Sequence, residues 1–262
     1  MPFFYMYFCK QYFLNTMNLI KYLTYLMILM VNLSLYSQIT IKLGPQIGLT
    51  SPTVDYSGDA KDFYAGTKYG LRSGLNYGVM GKIKIGPING RVSVNYSSLD
   101  NSGNANPLQA NSTLEIKHNL LIIALGTEFS FGIPASPIKP YAGLDLLLSS
   151  ISGTYNFQGT SEVASGEKSI KSASRTGLGL SIGSEINFGR NFTLDLSLRY
   201  NLINLFGKSY DGQTNSNDRN DAYAYLNDAA DPNYSPTNSK HPIGNNRSIA
   251  VIQFNAGLLF GF

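Results

Sequence analysis

Hydrophobic and polar residues alternate one for one along most of the chain after Gln38. In residues 39–50 (ITIKLGPQIGLT), Ile39, Ile41, Leu43, Pro45, Ile47 and Leu49 share one face. Thr40, Lys42, Gly44, Gln46 and Gly48 share the other. A period of two is a strand signal, whereas an amphipathic helix repeats its apolar positions every three to four residues. The pattern recurs in residues 74–86, 88–98, 118–131, 138–150, 176–188, 191–204 and 249–262. Residues 191–204 are the clearest: Phe192, Leu194, Leu196, Leu198, Tyr200 and Leu202 stand against Thr193, Asp195, Ser197, Arg199 and Asn201. Residues 118–131 alternate less cleanly, settling only toward Leu125, Phe129 and Phe131. Eight strands result, most of them over ten residues. Globular strands average about 5–6 residues, and membrane-crossing strands need about 9–11.

The connections alternate in length. Gly86-Pro87 and residues 132–137 and 189–191 read as tight turns; residues 51–73, 99–113, 153–174 and 205–247 read as long polar loops. All long loops therefore fall at one end of the strands and all tight turns at the other. Outer-membrane barrels have this arrangement, with an even strand number, short periplasmic turns, long extracellular loops and both termini periplasmic. The fourth loop is too long for a compact-domain connection and reads as an exposed surface loop.

A soluble ligand-binding barrel also alternates, with its apolar face inside. Here the polar face is rich in Gly and Ser, as a narrow filled lumen requires. The apolar face carries aromatics near strand ends: Phe131, Phe188, Phe192, Phe260 and Phe262 at the turn end, Tyr96 and Tyr200 near the loop end. Phe192 to Tyr200 spans roughly 19 Å along the membrane normal at the usual rise and tilt, close to the ~25 Å height of a lipid-facing band. The Gly-x-Trp signature of lipocalins cannot occur, because the chain has no Trp. The expected fold is all-β: an eight-stranded antiparallel transmembrane barrel, connected up and down.

Composition narrows this further. Charged residues are 14% of the 262, while Gly (26) and Tyr (18) are plentiful. That profile fits neither a disordered chain nor an ordinary helical one. The formal charge of +4 includes no basic cluster of the kind that tracks a phosphate backbone, so nucleic acid is not an expected partner. The single cysteine, Cys9, cannot form an intramolecular disulfide. From Met17 the chain reads MNLIKYLTYLMILMVNLSLYSQ, with Lys21, an apolar run from Tyr22 to Leu35, then Ser37-Gln38. This is the layout of a secretory signal peptide, and the run is shorter than the ~20 residues of a spanning helix. Residues 1–37 are read as an N-terminal extension plus cleaved signal, and residues 38–262 as the barrel domain.

The last strand, FNAGLLFGF (254–262), resembles the outer-membrane β-signal: a polar residue, Gly, then aromatic-x-aromatic, here Asn255, Gly257, Phe260 and Phe262. With the signal peptide and eight alternating strands, the chain resembles the OmpA-like, porin-family eight-stranded barrels of Gram-negative envelopes. The resemblance implies export to the outer membrane and insertion by the barrel-assembly machinery, which reads the final strand. Outer-membrane lipid and lipopolysaccharide would surround it, and a monomer is expected. The chain stops at Phe262, so the periplasmic peptidoglycan-binding domain that OmpA-type proteins often carry is not expected.

Strand parity points Lys42, Lys82, Lys84 and Arg91 inward from strands one to three. Glu128, Asp145, Glu185 and Asp195 point inward from strands four to seven, with Arg199 joining the acidic side. A basic wall would face an acidic one across a lumen just wide enough for side chains, giving a plug of ion pairs. The alternative is a small charge-lined pore for ions or solutes. A third reading, a lipid A-modifying enzyme, would rest on His118 near Ser97, Ser98 and Glu115. No His-x-Ser pairing supports a triad, and His118 is expected to be a solvated interfacial histidine. Residues 210–234 hold Asp211, Asp218, Asp221, Asp228 and Asp231 but lack the EF-hand order, so a solvated Asx-rich loop is expected, with no metal. Tyr223, Tyr225 and Tyr234 in the same loop are candidate contacts to an extracellular protein or glycan. The glycines of residues 177–183 alternate on a strand and open no helix, so they are not a phosphate loop. No cofactor and no enzymatic activity are expected. The leading expectation is a structural or surface-binding, adhesion-type role carried by the long loops.

Overall fold

The computed structural model describes residues 40–85, 88–132, 136–189, 191–212 and 218–262. The predicted signal segment, residues 1–37, and parts of the predicted tight turns (86–87, 133–135 and 190) lie outside the described residues. Eight antiparallel strands, each paired with its chain neighbours, close into one barrel. They are β1 (Thr40–Thr53), β2 (Gly74–Ile85), β3 (Ile88–Asn104), β4 (Thr113–Ser130), β5 (Ile138–Gln158), β6 (Gly166–Phe188), β7 (Phe192–Phe206) and β8 (Ala250–Gly261). β8 closes the ring on β1, from Thr53 opposite Ala250 to Lys42 opposite Gly261. The Phe262 amide donates to the Ile41 carbonyl at 2.9 Å, so pairing continues to the last residue. Closure leaves no open edge, which lipid would not tolerate.

The outward face is the alternating apolar set: Leu43, Ile47 and Leu49 on β1, Leu144, Leu146 and Leu148 on β5, Phe254, Leu258 and Phe260 on β8, all exposed. Aromatic pairs mark both rims of this band. Phe129 and Phe131 meet edge to face at 5.0 Å, and Phe192 and Phe260 do so at 5.1 Å, at the turn end. Tyr77 and Tyr96 lie 5.4 Å apart toward the loop end.

β3 to β6 run well past the predicted ends. Most of the stretch 153–174 and about half of 99–113, both read as loops, are strand. The physical reason is a change of solvent outside the wall. On β4, Leu121, Ile123 and Leu125 face outward in the lipid band, whereas Leu114, Ile116, Leu120 and Ile122 are buried inside. On β5, outward Leu144, Leu146 and Leu148 give way to inward Ile151, Tyr155 and Phe157. Beyond the band the outer face is polar, with Glu115, Lys117 and Asn119 on β4. The apolar positions thus move from the outer to the inner face where the wall leaves the lipid. Over Leu120–Ile123 both faces are apolar, which is why residues 118–131 alternate poorly.

Two connections fold over this extended end. The β1–β2 connection holds a 3-10 turn (Val54–Tyr56) and a short helix, α1 (Ala60–Tyr64). The β7–β8 connection holds α2 (Asp221–Ala224). Phe63 of α1 and Tyr223 of α2 stack at 5.2 Å, and Phe157 of β5 lies 5.1 Å from Tyr223. The same buried cluster takes in Tyr64, Tyr155 and Leu226. The β7–β8 connection is therefore a folded part of a dry cap, not the solvated loop its composition suggested. Asp228 and Asp231 are buried in it. Asp228 takes a forked ion pair from Arg175 on β6, with both hydrogen bonds at 2.8 Å.

Candidate functional site

The lumen is layered from the mouth at the turn end to the cap. At the mouth, Lys42 pairs with Glu185 at 2.5 Å. Lys84 stands beside them on β2 and makes no ion pair among the described residues. In the next layer Lys82 is the hub: its Nζ reaches Asp195 at 2.5 Å, Glu128 at 2.8 Å and Glu185 at 3.0 Å. Arg91 pairs with Glu128 at 2.5 Å and clamps Asp145 through two nitrogens. Tyr141 closes this layer, donating to Asp195 at 2.9 Å with its ring centroid 4.2 Å from the Lys82 ammonium. Gly126, opposite Asp145 on the neighbouring strand, has to be glycine here. A β-carbon would stand on the Asp145 carboxylate and the Leu144 carbonyl.

Arg199 occupies the layer above. It rises from β7 but crosses the lumen to donate to Ser93 on β3 at 3.0 Å, and it forms no ion pair among the described residues. It was expected to join the acidic wall; its length carries the guanidinium past the carboxylates to the opposite side. A neutral ring follows: Thr50 with Ser97 at 2.8 Å, Asn76 to Thr50 at 3.0 Å, Gln253 to Thr50 at 3.0 Å and Asn201 to Gln253 at 2.9 Å. Above that a buried apolar cluster begins with Leu99 and Leu120, with His118 and the Arg175–Asp228 pair set among it. Sequence parity placed Tyr141 on the inner face but gave it no role; the signal was a phenol at the level of four buried charges.

His118 is not a solvated histidine. It points into the cap, 1% exposed, with Nδ1 3.3 Å from the Tyr56 hydroxyl. Glu115 lies on the outer face of the same strand, and Ser97 is tied into the hydrogen-bonded ring. The structure thus does not bring the His/Ser/Glu set together. His241 is likewise buried, with Nδ1 2.7 Å from Asp231. Burial, with the positive Arg247 near it, pushes the His118 imidazole down to about 3. Unfolded histidine titrates near 6.5, so the unfolded cap binds the proton first. The stability His118 contributes is present above about 6.5 and is lost as pH falls toward 3. We expect protease cleavage of the β7–β8 connection to accelerate between pH 7 and pH 4.5. His118→Phe should flatten that acid dependence; an unchanged pH profile would contradict the assignment.

The three candidate tyrosines part company. Tyr223 is buried in the cap, where its hydroxyl donates to the Tyr64 carbonyl at 2.7 Å, so it is not available to a ligand. An amphipathic ring in a long connection found an apolar partner in Phe63. Tyr225 is half-buried and accepts a hydrogen bond from Lys171 at 2.7 Å. Tyr234 remains exposed.

A family model described as outer membrane protein beta-barrel domain matches residues 24–225, more than half of the chain. The chain belongs to the outer-membrane β-barrel family. It is an outer-membrane β-barrel protein, and barrels of this kind place their tight turns at the periplasmic face and their long loops outside the cell. Among solved structures, this barrel is similar to Neisserial surface protein A at 15% identity, over 86% of this chain and 98% of that one, with a TM-score of 0.45. It is similar to a major outer membrane protein from Thermus thermophilus at 14% identity, over 86% and 100%, with a TM-score of 0.48. It is also similar to Ail, the attachment invasion locus protein of Yersinia pestis, solved in complex with the heparin analogue sucrose octasulfate, at 13% identity, over 86% and 97%, with a TM-score of 0.36. No curated protein matches the chain.

Proposed function

We propose that this outer-membrane barrel is a closed, non-enzymatic anchor that presents a rigid cap for binding outside the cell. One observation carries the reading: the two longest extracellular connections share a dry aromatic core with the inner faces of β4 to β6. Loops that fold in this way are ordered before any ligand arrives, which removes part of the entropic cost of binding. The lumen below supports the same reading. An ion crossing it would have to separate Lys82 from three carboxylates and then displace an apolar core. Two measurements test the proposal. In planar bilayers the protein should show no large conductance steps; a stable open channel would favour the small-pore reading instead. Cells displaying it should adhere to host cells or matrix, and deletion of residues 210–240 should abolish adhesion while the barrel stays folded. Adhesion indifferent to that deletion would overturn the surface-binding role.

We also infer that Asn255, Gly257, Phe260 and Phe262 act as the assembly signal and that residues 1–37 are the export segment ahead of a barrel of residues 38–262. Supporting the first is the Phe262 amide bonded to β1, with Phe260 paired against Phe192 at the periplasmic rim. Deleting Phe262 should deplete the heat-modifiable barrel from the outer membrane and leave unfolded protein in the periplasm. Normal membrane levels of the deletion would refute this.

A further inference from the structure

Tyr234 is the one tyrosine exposed above the lipid band among the described residues, at 47%. Its position is fixed from beneath. Asp231 accepts the amides of Asn233 on its carboxylate at 2.8 Å and of Tyr234 on its carbonyl at 3.1 Å. Its own amide donates to the Ile243 carbonyl at 2.8 Å, and its second carboxylate oxygen pairs with buried His241 at 2.7 Å. This ties residues 231–234 to residues 241–244 and sets Tyr234 against Gly244. The contact is close: a β-carbon on Gly244 would stand 2.6 to 3.0 Å from three carbons at the phenol end of the ring. Gly244 therefore acts as a seat, and the ring is held while much of its surface stays open.

The surroundings select the ligand. Asn233, Thr237, Asn245 and Asn246, all within about a dozen residues of Tyr234 along the chain, are exposed. Lys240 is the single Lys, Arg, Asp or Glu in residues 232–246. One aromatic ring is too small an apolar patch to centre a protein interface, where anchors sit in a larger dry core. It matches the apolar face of one hexose. The C–H groups of that face, made positive by neighbouring oxygens, sit well on the negative π-face of a phenol. Amides carry both a donor and an acceptor and so can satisfy adjacent sugar hydroxyls. The near-neutral charge disfavours sulfated chains.

The geometry points to a binding site for a neutral hexose-containing glycan, built on Tyr234 and Gly244. This rests on the surface-binding reading above and gives it a ligand class. The test uses the full barrel in lipid nanodiscs against neutral oligosaccharides ending in galactose, glucose or N-acetylglucosamine, with heparin as the polyanionic comparison. Wild type should bind at least one neutral series. Tyr234→Ala should weaken binding by about tenfold or more, and Tyr234→Phe should retain it. Gly244→Ala should weaken it with Tyr234 intact, because the new methyl displaces the ring. Heat-modifiable migration confirms folding of each variant. Binding of heparin alone, no glycan binding, or neutral binding indifferent to Tyr234→Ala would each overturn the site. If cells still adhere through residues 210–240 while the purified barrel binds no neutral glycan, the glycan inference fails and the surface-binding role stands.

Discussion

Lys82→Met is expected to destabilise the barrel by about 3–5 kcal/mol, read as a fall in the urea midpoint of the protein in detergent. The ammonium lies within 3.0 Å of three carboxylates and the side chain is 2% exposed, so its loss leaves negative charges facing one another without water. Those carboxylates are not left equally poor. Glu128 keeps Arg91 and Glu185 keeps Lys42, whereas Asp195 keeps only the Tyr141 hydroxyl. Adding Asp195→Asn to Lys82→Met should therefore recover more stability than adding Glu128→Gln or Glu185→Gln. Each second substitution made alone completes a cycle that isolates its coupling to Lys82. Equal recovery by all three would mean that Lys82 neutralises the lumen diffusely rather than as a hub. A small pore makes a different forecast: stability near wild type, with a change in conductance or ion preference.

The parts of this molecule visible in its sequence are those where one physical constraint governs a whole strand. β1, β2, β7 and β8 are read almost to their ends, because lipid outside and polar side chains inside hold one phase of alternation over most of their length. The upper halves of β3 to β6 escape because the constraint changes partway along. Leu99 is out of phase with Val92, Val94 and Tyr96, and Ile151, Tyr155 and Phe157 are out of phase with Leu144, Leu146 and Leu148. Seen as one pattern, these look like decay into loop. Seen as a slip of one residue, they mark the level at which water replaces lipid outside the wall. The inward direction of the lumen charges follows from parity alone. Where a long side chain ends does not, and Arg199 ends at Ser93 on the opposite side of the barrel. Composition also cannot separate a solvated aspartate from a buried one. Asp228 looks like its neighbours until Arg175, 53 residues away, is placed beside it.

Tyr223→Ala should open the cap while sparing the barrel. The ring is buried, stacks on Phe63 at 5.2 Å and touches Phe157, while its hydroxyl accepts from Arg219 at 2.6 Å. Removing an aromatic from such a core costs about 3–5 kcal/mol. It also takes one partner from Arg219, whose guanidinium is left over the Tyr64 ring at 4.2 Å and paired with Glu162 at 2.6 Å. When opening is fast relative to cleavage, proteolysis tracks the open population, and each 1.4 kcal/mol is a factor of ten. Cleavage within residues 207–249 on intact cells should therefore rise by about a hundredfold or more. The hydrogen-bonded ring at Thr50 and the ion pairs beneath it lie below the cap. Heat-modifiable migration should accordingly be unchanged, and lumen conductance should stay closed if the charged layer is itself the barrier. Conductance appearing in Tyr223→Ala would assign the seal to the cap instead. Tyr234→Ala is the matched control, because an exposed ring outside the aromatic core contributes little to keeping the cap shut. If both variants were cut alike, the buried cluster would not be what holds the β7–β8 connection in place.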